Sequence, residues 1–272
     1  MKIFHIFQLS PELLKALELL HYTQPTKVQQ QVIPLLLEQK DTIVKSQTGS
    51  GKTAAFGIPL CQLLDWQENK PQALIITPTR ELALQIKEEL FQIGRYKRLK
   101  VAAVFGKSSF YYQQSELRQK THIVVGTPGR LIDHMEKGTL NTTNIQYVVI
   151  DEADELLNMG FMEQTETILS LLPSKRVTVL LSATMPPDII ALCRSHMQNP
   201  VQVEVEEETS VLNRISQERY LVEEKDKLKL LIDLTVVENP DSCIIFCNTK
   251  HQVDEIYANL KDLDYPCAKI HG

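Results

Sequence analysis

From residue 42 to residue 205, short apolar runs alternate with longer stretches in which apolar residues recur every three or four positions. The runs include "ALIITP" (73–78), "VAAVFG" (101–106), "HIVVGT" (122–127), "YVVIDE" (147–152) and "VTVLLSAT" (177–184). None alternates apolar with polar residues, so each predicts a strand buried on both faces. The segments of helical period between them predict βαβ units with right-handed crossovers. The expected class is α/β, a parallel sheet flanked by helices. After "VQVEV" (201–205) the pattern lapses in the polar "EEETSVLNRISQ" (206–217), which predicts a linker. A shorter α/β rhythm follows: strand "ERYLVE" (218–223), helix 225–238, strand "SCIIFC" (242–247), helix 249–263 and the opening of a further strand in "CAKIHG" (267–272). The expected division is a first lobe over 1–206, a linker over 207–216 and a partial second lobe over 217–272.

With 272 residues, 43% of them hydrophobic, the chain can bury a sizeable core in about one or two domains. No apolar run reaches the length of a membrane span. The N-terminal "MKIFHIFQLSPELL" lacks a signal peptide's uninterrupted apolar stretch and small-residue cleavage site, so a cytoplasmic protein without a membrane partner is expected. The five cysteines are scattered, and Cys243 and Cys247 lie in an apolar run, which suits packed thiols better than metal ligands. A formal net charge of −5 opposes indiscriminate attraction to a polyanion, so any nucleic-acid site must be local. The most basic short stretch, "GRYKRLK" (94–100), reads as a solvated helix end whose cations suit the dipole.

One strand ends in concentrated negative charge. In "VVIDEADELL" (148–157), Asp151, Glu152, Asp154 and Glu155 fall at the expected carboxyl edge of the sheet, where open α/β folds place their ligands. Capping of the next helix accounts for one or two of them. Mg²⁺ accounts for more, because it is held by one or two carboxylates together with phosphate oxygens and waters. A phosphate site precedes it in "TIVKSQTGSGKTAAFGIPL" (42–60). There Thr42 to Lys45 is strand-like, Ser46, Gln47, Thr48, Gly49, Ser50 and Gly51 form a tight loop, and Lys52 opens a helix. The glycines let backbone N–H groups wrap around phosphate oxygens at the positive end of that helix. Lys52 reaches the β and γ phosphates, and the Thr53 hydroxyl ligates Mg²⁺. Ser46 stands where the generic pattern has Gly or Ala. Together the motifs describe a nucleotide hydrolase in which Asp151 holds Mg²⁺ through water and Glu152 orients the attacking water as general base. Downstream, Ser182 and Thr184 of "LLSATMP" can hydrogen-bond Asp154 across the sheet edge and couple the nucleotide site to a more distant one.

Asp151-Glu152-Ala153-Asp154, with the other motifs in order around it, resembles the DEAD-box ATP-dependent RNA helicases, and the likeness runs through essentially the whole chain. It implies a RecA-like P-loop NTPase lobe followed by an incomplete second RecA-like lobe. "HYTQPTKVQ" (21–29) is similar to the family's adenine-reading segment, with His21 where glycine is usual. The resemblance implies that Gln29 recognises the adenine edge of ATP, Tyr22 stacks on the ring and Phe4 supports the motif. A carboxamide suits this task, since it offers a donor and an acceptor to adenine N6 and N7. "PTRELA", beginning Pro78-Thr79-Arg80, the loop at Gly106 and "TPGR" (Thr127, Pro128, Gly129, Arg130) resemble the segments that grip the sugar-phosphate backbone of one RNA strand, and Asn248 and Thr249 of "IIFCNTK" are similar to a further contact. Lys107 stands where many members have a second glycine. The stretches at 46–61, 103–110 and 238–247 resemble the bacterial DbpA-type branch, which acts on ribosomal RNA and carries a C-terminal RNA-binding domain that is not among these 272 residues. The family's arginine-rich motif, whose Arg reaches the γ phosphate, belongs to a part of the second lobe beyond Gly272.

The expectation is thus an ATP-dependent RNA helicase with RNA-stimulated hydrolysis and local duplex unwinding, acting in ribosome assembly or ribosomal RNA remodelling without an obligate protein partner. The chain itself is expected to bind ATP and turn it over inefficiently. The alternative is a truncated module that holds nucleotide and RNA with little turnover. A P-loop kinase or metabolic NTPase would keep Lys52, Thr53 and Asp151 but would have no use for Gln29, "PTRELA" and "TPGR" in this order. If Gln29 and Tyr22 read adenine, ATP and ADP bind more tightly than GTP or CTP, and Gln29→Ala removes most of that preference. Equal affinity for all of them in a fluorescence titration overturns the assignment.

Overall fold

A computed structural model describes residues 3–47, 49–205 and 216–271; Thr48 and most of the expected 207–216 linker lie outside the described residues. The chain divides into two compact units, Met1–Glu208 and Thr209–Gly272.

In the first unit the uninterrupted apolar runs become strands of one parallel sheet. These are β1 (Thr42–Lys45), β2 (Ala73–Ile76), β3 (Val101–Val104), β4 (Ile123–Gly126), β5 (Tyr147–Ile150), β6 (Val177–Ser182) and β7 (Val201–Glu204), in the spatial order β3-β4-β2-β5-β6-β1-β7. β1 is inserted between β6 and β7, with Thr42 opposite both Val179 and Val201. Side chains alternate between faces along each strand. Ala73 and Ile75 pack with α1 (Pro11–Leu19), α2 (Lys27–Leu37), α3 (Lys52–Leu63) and α4 (Arg80–Gly94). Leu74 and Ile76 pack on the other face with α5 (Phe110–Arg118), α6 (Pro128–Glu136), α7 (Ala153–Asn158), α8 (Met162–Leu171) and α9 (Pro187–His196). Both faces are covered over the interior strands, which is why these carry no polar alternation; the edge strand β7 alternates, with Gln202 and Glu204 exposed. Among the described residues no helix is long and apolar enough to cross a membrane.

Parallel strands send all their carboxyl ends to one edge, and the strand order arranges the motifs along it. The loops that follow β3, β4 and β2 carry Gly106, "TPGR" and "PTRELA"; those that follow β5, β6 and β1 carry the acidic tetrapeptide, Ser182 to Thr184 and the glycine loop. The nucleotide-type motifs therefore occupy one half of the edge and the RNA-type motifs the other. Neighbouring strands lie about 4.8 Å apart, so the two halves adjoin at β2 and β5.

In the second unit α10 (Lys227–Glu238) and α11 (Lys250–Asp262) form where the helical period predicts, and Leu260 of the expected apolar stripe is buried, with Val253, Ile256 and Tyr257 half-buried. The expected strands do not form: residues 216–271 contain none. A strand exists only through hydrogen bonds to a neighbour. The runs at 218–223 and 242–247 have no such ladder, and Ile244 and Phe246 stand 80% and 91% exposed. This unit should accordingly open at lower free energy than the first. Amide hydrogens in 218–223 and 242–247 are expected to exchange far faster than those of β1 to β6, and limited proteolysis to remove residues after 216 first. Equal protection of both units overturns this.

Candidate functional site

The glycine loop is shaped by left-handed backbone. Gly49 and Gly51 have φ of 83° and 88°, and a Cβ on Gly51 would lie 2.6 Å from Nε2 of Gln29. Lys52, only 7% exposed, turns back into the loop, and its Nζ donates to the Ser46 carbonyl at 2.9 Å. The hydroxyls of Ser46 and Ser50 are 2.6 Å apart, and Ser50 also donates to the Gln47 carbonyl at 2.9 Å. Ser46 is thereby accommodated in place of glycine: its hydroxyl is consumed inside the loop.

Asp151, at the end of β5, is buried, and burial pushes its carboxyl up to about 6 against the opposing pull of the Lys52 ammonium. Its Oδ1 accepts the Glu152 N–H at 3.0 Å. Glu152 has φ of 51° and precedes α7; burial raises its carboxyl too, again opposed by Lys52. A non-glycine residue in this region costs about 1–2 kcal/mol, and such strain collects at functional positions. One lysine thus answers two carboxylates. The Thr53 hydroxyl and the Asp151 carboxylate are both oxygen donors, the type that a hard cation such as Mg²⁺ takes. Asp154 joins two strand ends. Its N–H donates to Ser182 Oγ at 3.2 Å, while its Oδ2 accepts the Thr184 N–H at 3.0 Å and the Thr184 hydroxyl at 3.1 Å.

Gln29 is buried and doubly engaged. Its Oε1 accepts the Thr26 N–H at 3.0 Å, closing a capping box on α2, and its Nε2 donates to the Gly51 carbonyl at 3.2 Å. One further lone pair and one further hydrogen remain for a ligand. Tyr22 meets Phe4 edge-on, centroids 6.1 Å apart, and its hydroxyl donates to Glu89 Oε1 at 3.1 Å. Glu89 also bonds to the Thr53 side chain, and burial raises its carboxyl. Sequence reasoning missed Glu89. The available signal was its place in the apolar stripe of α4, between Ile86, Leu90 and Ile93, all buried.

On the other half of the edge, Thr79 caps α4 by accepting the Leu82 N–H at 3.2 Å, Pro78 is buried, and Arg80 is exposed, with its guanidinium 5.0 Å from the Phe105 ring centroid. Gly106 and Gly129 are exposed, while Pro128 is buried at the start of α6. The Thr127 N–H donates to the Val104 carbonyl at 3.1 Å. Arg130 is turned inward: Nη1 donates to the Ser108 carbonyl at 3.1 Å and to Gln113 Oε1 at 2.8 Å. Asn248 and Thr249 belong to the second unit and are exposed; Thr249 caps α11 by accepting the Gln252 N–H at 3.2 Å. The basic stretch at 94–100 closes α4 in a 3₁₀ turn, Arg95–Lys97, with Arg98 against Trp66.

A glycine loop with a buried lysine, facing an acidic strand end on one parallel sheet, defines a RecA-like P-loop nucleotide-binding lobe. The sequence model of the DEAD/DEAH box helicase family matches residues 26–192, and the chain belongs to that family. It is 60% identical over its whole length to the ATP-dependent RNA helicase DbpA of Bacillus subtilis and 42% identical to the DEAD-box ATP-dependent RNA helicase CshA of Geobacillus kaustophilus, spanning 57% and 58% of those proteins. Its fold is similar to the crystal structure of a DEAD box protein from the hyperthermophile Methanococcus jannaschii, with a TM-score of 0.71 and 36% identity over 97% of this chain and 71% of that one.

His134, fully buried beneath Arg130, has its pKa held down to about 4, first by burial and then by that guanidinium. In the unfolded chain a histidine titrates near 6.5. The unfolded state therefore takes up the proton first, and stability present above about pH 6.5 is lost progressively as the pH falls towards 4. Melting temperatures should drop between about pH 7 and about pH 5, and the drop should be shallower in His134→Gln. Parallel pH profiles for the two proteins would show that this imidazole titrates normally.

Proposed function

We propose that the chain is the ATP-binding part of an ATP-dependent RNA helicase, which couples ATP hydrolysis to local separation of RNA strands. The observation that carries the proposal is the strand order, which sets the nucleotide-type motifs beside the RNA-type motifs on a single edge. The likeness to proteins named as RNA helicases supports it. Gln29 and Tyr22, with Phe4 behind the tyrosine, select adenine. The backbone of the loop from Ser46 to Gly51 and the ammonium of Lys52 hold the phosphates, and Lys52 exchanges its present bond to the Ser46 carbonyl for phosphate oxygens. Thr53, and Asp151 through water, would hold Mg²⁺, which would supply charge neutralisation at the phosphates. Glu152 takes the proton of the attacking water; its raised pKa suits a group that must accept one. Asp154, Ser182 and Thr184 transmit the state of this site to the neighbouring strand end. Pro78 to Arg80, Gly106 and Thr127 to Arg130 hold one RNA strand by its backbone, and Asn248 and Thr249, in the second unit taken by itself, are further proposed RNA contacts. We further propose ribosomal RNA as the substrate, on the resemblance to the DbpA-type branch, with the protein acting in the cytoplasm and needing no obligate protein partner.

Two substitutions separate binding from turnover. Lys52→Ala should weaken nucleotide binding by about tenfold or more, through loss of a charge-assisted contact of about 1.5–3 kcal/mol. Glu152→Gln should leave binding intact and lower RNA-stimulated hydrolysis in the full-length protein by about 10²–10⁴. Hydrolysis by Glu152→Gln at the unsubstituted rate would remove Glu152 as the base, and the absence of any RNA stimulation in the unsubstituted protein would overturn the helicase proposal.

A further inference from the structure

The resemblance implies that Arg130 meets RNA, yet its guanidinium is already bound within the protein. Its side chain is 13% exposed, Nη1 is shared between the Ser108 carbonyl and Gln113 Oε1, and Nε faces the Asp133 carboxylate at 3.5 Å. The partner that organises this cluster, Gln113, arrives from α5, belongs to no motif and is 2% exposed. Both ends of its carboxamide are used. Nε2 donates to the Phe105 carbonyl at 3.0 Å; Oε1 accepts from Arg130 and faces Nε2 of His134 at 3.3 Å. The depressed pKa keeps His134 neutral, so it has a single N–H. Its Nδ1 lies 2.7 Å from the Thr139 hydroxyl, which donates to the His134 carbonyl at 3.0 Å, so both ring nitrogens have a polar neighbour inside the cluster. Phe110 closes the cluster by stacking on His134, centroids 4.2 Å apart and planes 12° from parallel.

This geometry links two segments that have separate origins in the chain. Phe105 and Gly106 follow β3; Thr127 to Arg130 follow β4 and open α6. β3 and β4 meet closely where they end, since a Cβ on Gly126 would lie 2.6 Å from the Val104 carbonyl oxygen. Beyond that point the ladder stops, and the separation of the two loops depends on side chains. A buried amide left half-paired costs about 1–3 kcal/mol, so Gln113 ties the Phe105 carbonyl to Arg130 only while both loops keep one spacing. We infer that Gln113 is a positioning residue for the RNA-binding edge, setting the distance between the 105–109 loop and the first turn of α6, with Arg130 serving as the strut of that connection. The inference rests on the RNA-binding function proposed above for this edge.

The test uses Gln113→Leu, which removes both bonds, and Gln113→Glu, which keeps the shape and a now charged acceptor for Arg130 but turns the donor to the Phe105 carbonyl into a carboxylate oxygen that repels it. Binding of a fluorescein-labelled oligouridylate in the presence of a non-hydrolysable ATP analogue is followed by anisotropy, and the affinity for a fluorescent ADP by titration. Gln113→Leu should weaken RNA binding by about tenfold and Gln113→Glu by about threefold or more, the equivalents of about 1.4 and 0.7 kcal/mol for a lost buried hydrogen bond, while ADP affinity stays unchanged. In the full-length protein the RNA concentration for half-maximal ATP hydrolysis should rise, with turnover at saturating RNA unaltered; a merely destabilised fold would lower turnover and ADP affinity together. Should Gln113→Leu fail to fold, Gln113→Glu decides alone. RNA affinity in Gln113→Glu equal to that of the unsubstituted protein overturns the inference and leaves the RNA edge standing. No RNA binding by the unsubstituted protein removes the edge and the inference with it.

Discussion

Burial on both faces of a parallel sheet is the constraint from which the rest of the first unit follows. Strands such as "ALII" and "YVVI" have no polar face, so helices must cover both sides, and the chain must cross over after each strand before the next begins. All the carboxyl ends then reach one edge, where peptide groups run out of ladder partners. Pairing continues for one residue past several strands: the Ser46 N–H reaches the Ser182 carbonyl, Asp151 reaches Ile76, Thr77 reaches Gly126 and Thr127 reaches Val104, all at 2.9–3.1 Å. The motif residues begin where this pairing stops, so their positions inherit the rigidity of the sheet while their side chains are free of it.

Charge at the nucleotide half is arranged so that the protein alone does not balance it. Asp151 and Glu152 are both raised by burial, and both lean on Lys52, whose hydrogen bond goes to a loop carbonyl. An arrangement of this kind responds strongly to a bound polyanion with its cation, because the lysine gains phosphate and the carboxylates gain positive charge together. Around this centre the uncharged contacts are closed. Gln29 joins the cap of α2 to the glycine loop, Glu89 joins Tyr22 to Thr53, and Asp154 joins the ends of β5 and β6. Each of these links crosses between segments that are distant in the chain. The RNA-type half lacks such charge opposition and is held mainly by buried polar side chains: Gln113, Arg130 and His134 replace water-exposed contacts with a closed set of hydrogen bonds under the Phe110 ring.

Much of this was legible in the amino-acid order. Strand identity followed from "ALIITP" and its fellows, because a short uninterrupted apolar run between segments of helical period suits a strand buried on both faces; the glycine loop at Gly49 and Gly51 followed from its run of small residues between a strand and a helix. The second unit shows the limit of pattern. "SCIIFC" is as apolar as any strand of the first unit, but a strand is a relation between segments, and 242–247 has no laddered neighbour. Glu89 left only the faint signal of a carboxylate within an apolar stripe, and Gln113 left none, since each stands among other polar residues of its helix and acquires meaning only from what packs against it.

By itself, then, the sequence determined the α/β class and the places of the apolar runs, the glycine loop and the acidic tetrapeptide, because these depend on local spacing and on the chemistry of single side chains. Only the tertiary structure decided the order β3-β4-β2-β5-β6-β1-β7, the inward turn of Arg130 and the engagement of Gln29 with Gly51. Those outcomes depend on which distant segments become neighbours, and a buried donor or acceptor takes whatever partner the packing brings within about 3 Å.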